Sequence, residues 1–185
     1  MRAFIALELP EAFWRDTAAL ARELGTQVTG RFLKAQTYHL TLAFLGDIDD
    51  AGKQRAVDAI DAACAGLAAI PLACDGLGKF GRAQDATLWL GIQRSGNLEQ
   101  LARRMREELD VRGIGYDSKP FKPHITLARR ARIPRSPLPA LAFPRDDIAT
   151  DVTLFKSELS HEGASYKPLY TVRLHGMGDG DGDPS

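Results

Sequence analysis

The pentapeptide His39-Leu-Thr-Leu-Ala43 returns as His124-Ile-Thr-Leu-Ala128. Alternate side chains of an extended strand share a face, so each copy presents an imidazole and a hydroxyl together while Leu or Ile packs behind them. The chain has only ten threonines, which gives any one histidine about a 5% chance of a threonine two positions on, and here the following Leu-Ala repeats as well. Coincidence does not account for that. An imidazole, with its reference pKa near 6.5, gives or takes a proton near neutral pH. Two of them on opposite sides of a phosphodiester supply what its hydrolysis needs. One, neutral, takes a proton from the attacking water, and the other, protonated, gives one to the departing oxygen. Thr41 and Thr126, stiff at χ1, are placed to bind the nonbridging oxygens and stabilise charge in the transition state. This chemistry requires no metal, and neither motif has a carboxylate, Cys or second His at ligand spacing.

A single His-x-Thr would ordinarily be a packing or surface feature. The duplication separates His39 and His124 from the other two histidines. His161 falls in a turn and His175 at a strand end, neither followed by Thr two positions on, so both are expected to be solvent-exposed and without a role.

The elements that must carry these motifs follow from periodicity and punctuation. Residues 2–9 form a strand ending at Pro10, and 11–24 form an amphipathic helix closed by Gly25. The first motif lies on a strand over 38–45, followed by a turn at Gly46 to Asp50 whose last member caps a helix over 51–68. Strands are expected at 70–80 and 86–93, then a helix over 97–112 with Leu98, Leu101, Met105 and Leu109 at helical spacing. The second motif strand spans 123–130. A Pro-rich connector runs from Pro134 to Pro144, and strands at 148–159 and 166–174 are joined by a turn at Glu162-Gly163-Ala164. The element order partly repeats, which points to two lobes related by approximate twofold symmetry around a shared cleft. Residues 1–175 then make one bilobal domain, and 176–185, rich in Gly and Asp, a flexible tail.

Bulk properties narrow the partners. The 24 basic and 24 acidic residues cancel, so no overall field draws the protein to nucleic acid or a membrane, and any phosphate site must be local. Cys64 and Cys74 lie in apolar stretches without disulfide or zinc spacing, which fits reduced thiols in a cytoplasmic protein. The opening residues have too short an apolar run for a signal peptide or a membrane span. A monomer is expected.

The quoted motifs resemble the 2H phosphoesterase superfamily, named for its two His-x-Thr/Ser-x motifs, and within it the RNA 2',3'-cyclic phosphodiesterase branch, once called 2'-5' RNA ligases. The segments "RAFIALELP", "YHLTLAFLGDI", "GLGKFGRAQDATLWLGI", "FKPHITLARR" and "SELSHEGASYKPLYTVRL" match that branch in kind and order from Arg2 to about Leu174. The resemblance implies an α+β, bilobal fold with two antiparallel sheets flanking the active-site cleft and helices on the outer faces. It also implies hydrolysis of RNA 2',3'-cyclic phosphate ends to 2'-phosphates, with no cofactor and no metal. Carried over by position, His39 is the proton donor to the 3'-oxygen, His124 the proton acceptor from water, and Thr41 and Thr126 bind phosphate. Near symmetry of the site equally permits the reverse assignment of the two histidines.

Arg129 and Arg130 both follow the second motif. The resemblance favours Arg129 as a phosphate ligand, whereas strict strand alternation puts Arg130 on the His124 face. The wider run Arg129, Arg130, Arg132 and Arg135 is either a guide for RNA or a solvated loop. Of the aromatics near the motifs, Tyr38, Phe44, Phe80 and Phe121, core packing is the default. Phe44 lies opposite His39 by alternation and is expected to be buried, leaving Phe80 and Phe121 as base-stacking candidates. Three alternatives share the site: reversible 2'-5' ligation, hydrolysis of small cyclic nucleotides, and binding of RNA ends without turnover.

Overall fold

Two β-α-β units laid out alike carry the two pentapeptides in the computed structural model, which describes residues 1–175. The first comprises β1 (Arg2–Glu8), α1 (Glu11–Leu24), β2 (Thr29–Phe32) and β3 (His39–Asp47), with a single 3₁₀ turn at Ala35–Thr37 before the motif. α2 (Asp50–Cys64), β4 (Ile70–Leu72) and β5 (Cys74–Arg82) lead to the second unit. That unit is β6 (Asp85–Ile92), α3 (Gly96–Val111) and β7 (His124–Arg132), followed by β8 (Asp147–Ala149), β9 (Asp151–Ser160) and β10 (Gly163–Arg173).

The strands form two four-stranded antiparallel sheets, ordered β10-β9-β1-β3 and β2-β7-β6-β5, with β4 and β8 as a separate pair. Each motif strand is paired with the first strand of its own unit, β3 with β1 and β7 with β6, and the two motif strands contact one another. One hydrophobic core joins Ile5 and Leu7 of β1, Leu40 and Leu42 of β3, Leu88 and Leu90 of β6 and Ile125 and Leu127 of β7 with the buried faces of all three helices. Full burial of such a side chain is worth about 1.5–3 kcal/mol, so the residues alternating with the motif His and Thr hold those strands in place.

Both motif strands carry the same irregularity. In β3 Thr41 pairs with Ala6 and Ala43 with Ile5, leaving Leu42 unpaired; in β7 Thr126 pairs with Trp89 and Ala128 with Leu88, leaving Leu127 unpaired. The extra residue is a β-bulge, which reverses the in-out alternation beyond it. Leu42-Ala43 and Leu127-Ala128 are consequently buried as consecutive pairs.

Two of the three helices, α2 and α3, begin where a short polar side chain satisfies a free N–H group, whereas α1 starts behind Pro10 without a side-chain cap. Asp49 accepts from Gly52 N at 2.7 Å and Ser95 from Leu98 N at 3.1 Å. The α2 cap is thus Asp49, where the sequence pointed to Asp50, and α2 stops at Cys64 instead of 68, with Gly66 at φ +72° reversing the chain behind it. The strand expected at 70–80 divides into β4 and β5, and that at 148–159 into β8 and β9. Gly163, expected in the turn, opens β10. Sequence periodicity did not reveal β2, whose Thr-Gly-Arg-Phe has no apolar alternation. Gly30 lets that strand approach β7 so closely that a Cβ there would lie 2.8 Å from Ala131 Cα. Pro168 is accommodated because β10 is an edge strand. The tail expected at 176–185 lies outside the described residues.

Among the described residues no helix is long and apolar enough to cross a membrane. Burial pushes the Cys64 thiol up to about 12 and the Cys74 thiol up to about 11. Neither is a thiolate nucleophile near neutral pH.

Candidate active site

A cavity of about 780 Å³ is lined by both motif histidines, both motif threonines and Arg129. A smaller cavity of about 410 Å³, bordered by Asp75, Trp89, Arg94 and Lys122, includes none of these five residues. The larger one is therefore the cavity that the two pentapeptides share.

The histidines are held alike. His39 Nδ1 lies 3.1 Å from the Thr37 carbonyl oxygen, and His124 Nδ1 2.5 Å from that of Lys122, in both cases two residues back along the chain. A carbonyl oxygen only accepts, so each Nδ1 carries the proton and donates it. Nε2 is then the nitrogen left to exchange a proton with a substrate. Aromatic rings flank both imidazoles. Phe155, Tyr166 and Phe4 have centroids 4.5, 5.6 and 6.3 Å from that of His39, and Phe80 and Trp89 lie 5.1 and 5.6 Å from that of His124. These walls strip water from the rings, and desolvation is the main cause holding both histidines below their ordinary pKa.

The surrounding charges differ in sign. At His39 the hydrogen bond to Thr37 and the negative charge of Glu8 work against desolvation. At His124 the bond to Lys122 does so, but the positive charges of Lys122 and Arg129 depress the pKa further. Lys122 Nζ sits 4.8 Å from the Trp89 ring centroid, a cation–π contact beside the imidazole.

The bulge decides between the two arginines. Arg129 lines the cavity because Leu127 is unpaired and the alternation has already reversed. Arg130 takes a left-handed turn, φ +49°, and is not part of the lining. The expectation from strict alternation is therefore corrected. The same device corrects Phe44, which was expected in the core: it is 52% exposed and lines the same cavity as His39. Tyr38 is buried, with its hydroxyl donating to the Leu33 carbonyl.

Phe80 is exposed and presents an edge-on ring to His124. Phe121 packs against the core, its carbonyl accepting from Arg94 at 2.8 Å, and is not part of the lining. Nor are Arg130, Arg132 and Arg135 of the basic run. The cations that join Arg129 around the cavity are Arg2 on β1, Arg31 on β2 and Lys34, against the carboxylates of Asp117 and Glu162. Sequence reasoning missed these three cations and the Phe4–Phe155–Tyr166 cluster, which come from four strands and a loop far apart in the chain. Their only sequence signal is alternation on β1, where Arg2 and Phe4 stand on one face with Glu8. His161 and His175 are exposed. Among the described residues no group of three or more His, Cys, Asp or Glu could hold a metal ion.

Known proteins include relatives of this chain. The family model described as the 2'-5' RNA ligase superfamily matches residues 9–156. An RNA 2',3'-cyclic phosphodiesterase of Thermotoga maritima is 28% identical over 182 residues, covering 95% of this chain and 97% of the relative. One of Escherichia coli strain K12 is 31% identical over 172 residues, covering 91% and 93%. The crystal structure of E. coli LigT complexed with 3'-AMP superposes with a TM-score of 0.78 at 28% identity, over 94% of this chain and 97% of that one.

Proposed function

Since this chain belongs to the 2'-5' RNA ligase superfamily, we propose that it is a hydrolase that opens RNA 2',3'-cyclic phosphate ends to 2'-phosphates by two-histidine acid–base catalysis. The observation that carries this reading is the pair of identically held imidazoles on one cavity, each with Nδ1 engaged by a backbone carbonyl. Relatives of nearly the same length are RNA 2',3'-cyclic phosphodiesterases, and the solved E. coli relative was complexed with a nucleoside monophosphate.

Water attacks phosphorus while neutral His124 takes its proton through Nε2. The bond from phosphorus to the 3'-oxygen breaks, and protonated His39 gives its Nε2 proton to that oxygen. The product carries a 2'-phosphate and a 3'-hydroxyl, and the two histidines return to their starting states by exchanging protons with solvent. Thr41 and Thr126 donate to the nonbridging oxygens. Arg129 offers a forked, permanently charged partner to the same phosphate. The cations beside His124 favour its neutral form, which is the form a base must have.

The test is turnover of an oligoribonucleotide ending in a 2',3'-cyclic phosphate, in the presence of chelator, by the wild type, His39→Ala and His124→Ala. Wild-type turnover and a loss of roughly 10²-fold or more in each variant are expected. Undiminished turnover in either variant would refute the reading. A parallel panel of linear 3'-phosphate RNA, small cyclic nucleotides and an RNA bearing a 5'-hydroxyl separates hydrolysis of RNA ends from the nucleotide and ligation alternatives. Binding without turnover by the wild type would leave only recognition of RNA ends.

A further inference from the structure

Across its own sheet each motif histidine faces one residue, and the two lobes differ there in kind. Glu8 of β1 is in register with His39, and Gly91 of β6 is in register with His124. The surrounding register matches position by position: Ala6 and Leu7 stand opposite Thr41 and Leu40 as Trp89 and Leu90 stand opposite Thr126 and Ile125. Directly opposed side chains share a face and lie near one another, so the carboxylate has a defined neighbour in one lobe and no equivalent in the other. A side chain there would also be crowded. A Cβ at Gly91 would lie 3.1 Å from the Asp75 carbonyl oxygen and 3.2 Å from Trp89 Cζ3.

Glu8 is also fixed. Its Oε2 accepts from Thr153 Oγ1 at 2.6 Å, and Thr153 Oγ1 lies 2.8 Å from Thr171 Oγ1. A hydroxyl has one proton; that of Thr153 goes to the carboxylate, so Thr171 donates to Thr153. Thr153 is fully buried on β9, and a buried hydroxyl needs its partners satisfied. The hydroxyl chain thus runs from β10 through β9 to β1 and ends on the carboxylate. It has no part in lining the cavity, so Glu8 acts on the reaction only through His39.

We propose that Glu8, anchored by the Thr171–Thr153 hydroxyl pair, is the positioning residue that makes His39, and not His124, the proton donor of the cleft. The inference rests on the acid–base reading above and explains how a nearly symmetric site acquires a direction. A fixed negative charge stabilises the imidazolium of His39, whereas the charges that act on His124, opposite a glycine, are those of Lys122 and Arg129, both positive. The other titratable group packed on His39 is Tyr166 of β10, which burial keeps protonated and neutral. Arg2, Arg31, Lys34, Arg129, Asp117, Glu162 and His124 line the rest of the cavity, and Glu8 is the carboxylate in direct register with His39.

The experiment is an NMR titration of both imidazoles in the full chain, with the pH profile of kcat/KM on cyclic-phosphate RNA, for the wild type, Glu8→Gln, Glu8→Asp and Thr153→Val. Gln keeps the shape and an acceptor oxygen for Thr153 but removes the charge. The His39 titration should move to lower pH while that of His124 stays in place. The descending, acid-dependent limb of the profile should follow His39, with a loss on the order of 3- to 10-fold on the alkaline side, a fraction of what general acid–base catalysis supplies. Glu8→Asp should restore part of both, and Thr153→Val should shift His39 in the same direction by releasing the carboxylate. An unmoved His39 titration in folded Glu8→Gln overturns the proposal, as does an equal shift at both histidines. Absence of wild-type turnover would instead overturn the hydrolase reading, while the titration would still decide whether Glu8 governs His39.

Discussion

Phe44 and Arg129 occupy equivalent places in the two halves of the cleft. Each stands five residues beyond its motif histidine, and each is returned to the cavity by a bulge that leaves Leu42 or Leu127 unpaired. The same backbone device thus delivers an aromatic face on one side and a guanidinium on the other. A nucleotide end has both a base and a phosphate to receive them.

Arg129→Ala should lower kcat/KM on cyclic-phosphate RNA by roughly 10- to 100-fold, as expected for a lost charged hydrogen-bonding partner of a phosphate. Lysine should rescue only in part, because it has no fork. Arg130→Gly should keep activity and relieve the left-handed strain at φ +49°, raising stability by up to about 1 kcal/mol in a denaturant melt. Equal kinetic losses at both arginines would contradict the bulge argument.

Phe44→Ala should raise KM by roughly 5-fold or more with little change in kcat, since base–aromatic stacking is worth about 1–3 kcal/mol per base. Phe121→Ala should instead lower the melting temperature through lost packing. Steady-state kinetics beside thermal melts of the two variants check this. A melting loss at Phe44 with unchanged KM would return that residue to the core role first expected of it.

Both imidazoles are held below the ordinary histidine pKa, chiefly by desolvation. The free enzyme's kcat/KM should therefore peak below about pH 6.5, where one ring is protonated and the other is not. For stability the sign is fixed by the same depression. As pH falls below about 6.5 the unfolded chain takes up protons before the folded chain does, so stability present above that pH is lost on acidification through the folded pKa values. Melting temperature against pH should show this decline, flattened in His39→Ala and His124→Ala. A kcat/KM optimum above pH 7.5 would contradict the desolvated setting of the rings.

Gly78 lies opposite Trp89, and a Cβ there would fall 2.1 Å from the indole Cη2. Gly78→Ala must displace the ring that flanks His124 and carries Lys122 on its face. A destabilisation of about 1–3 kcal/mol is expected from such overpacking, with a shifted His124 titration. Chemical denaturation and NMR measure the two effects, and an unshifted His124 would show that the indole does not set its environment.

The sequence by itself determined the candidate catalytic residues and the phase of the strands that carry them. A repeated His-x-Thr between apolar residues specifies which side chains stand together on each motif strand, because a strand alternates with period two. The helices α1 and α3 were legible from helical spacing, with Gly25 behind α1, and α2 from the acidic turn before it, although its end falls at Cys64 and not at 68. The bulges were not, because an unpaired Leu is indistinguishable from a paired one until the partner strand is known; that is why Phe44 was assigned to the wrong face and Arg130 contended with Arg129. The tertiary structure alone decided which strands meet, and with that the cations of β1 and β2, the aromatic walls, and the placing of Glu8 opposite one histidine and Gly91 opposite the other. Those are cross-strand and cross-sheet relations between residues distant in the chain. No local rule sets them, since long-range pairing is fixed by burial of the whole apolar face against a common core.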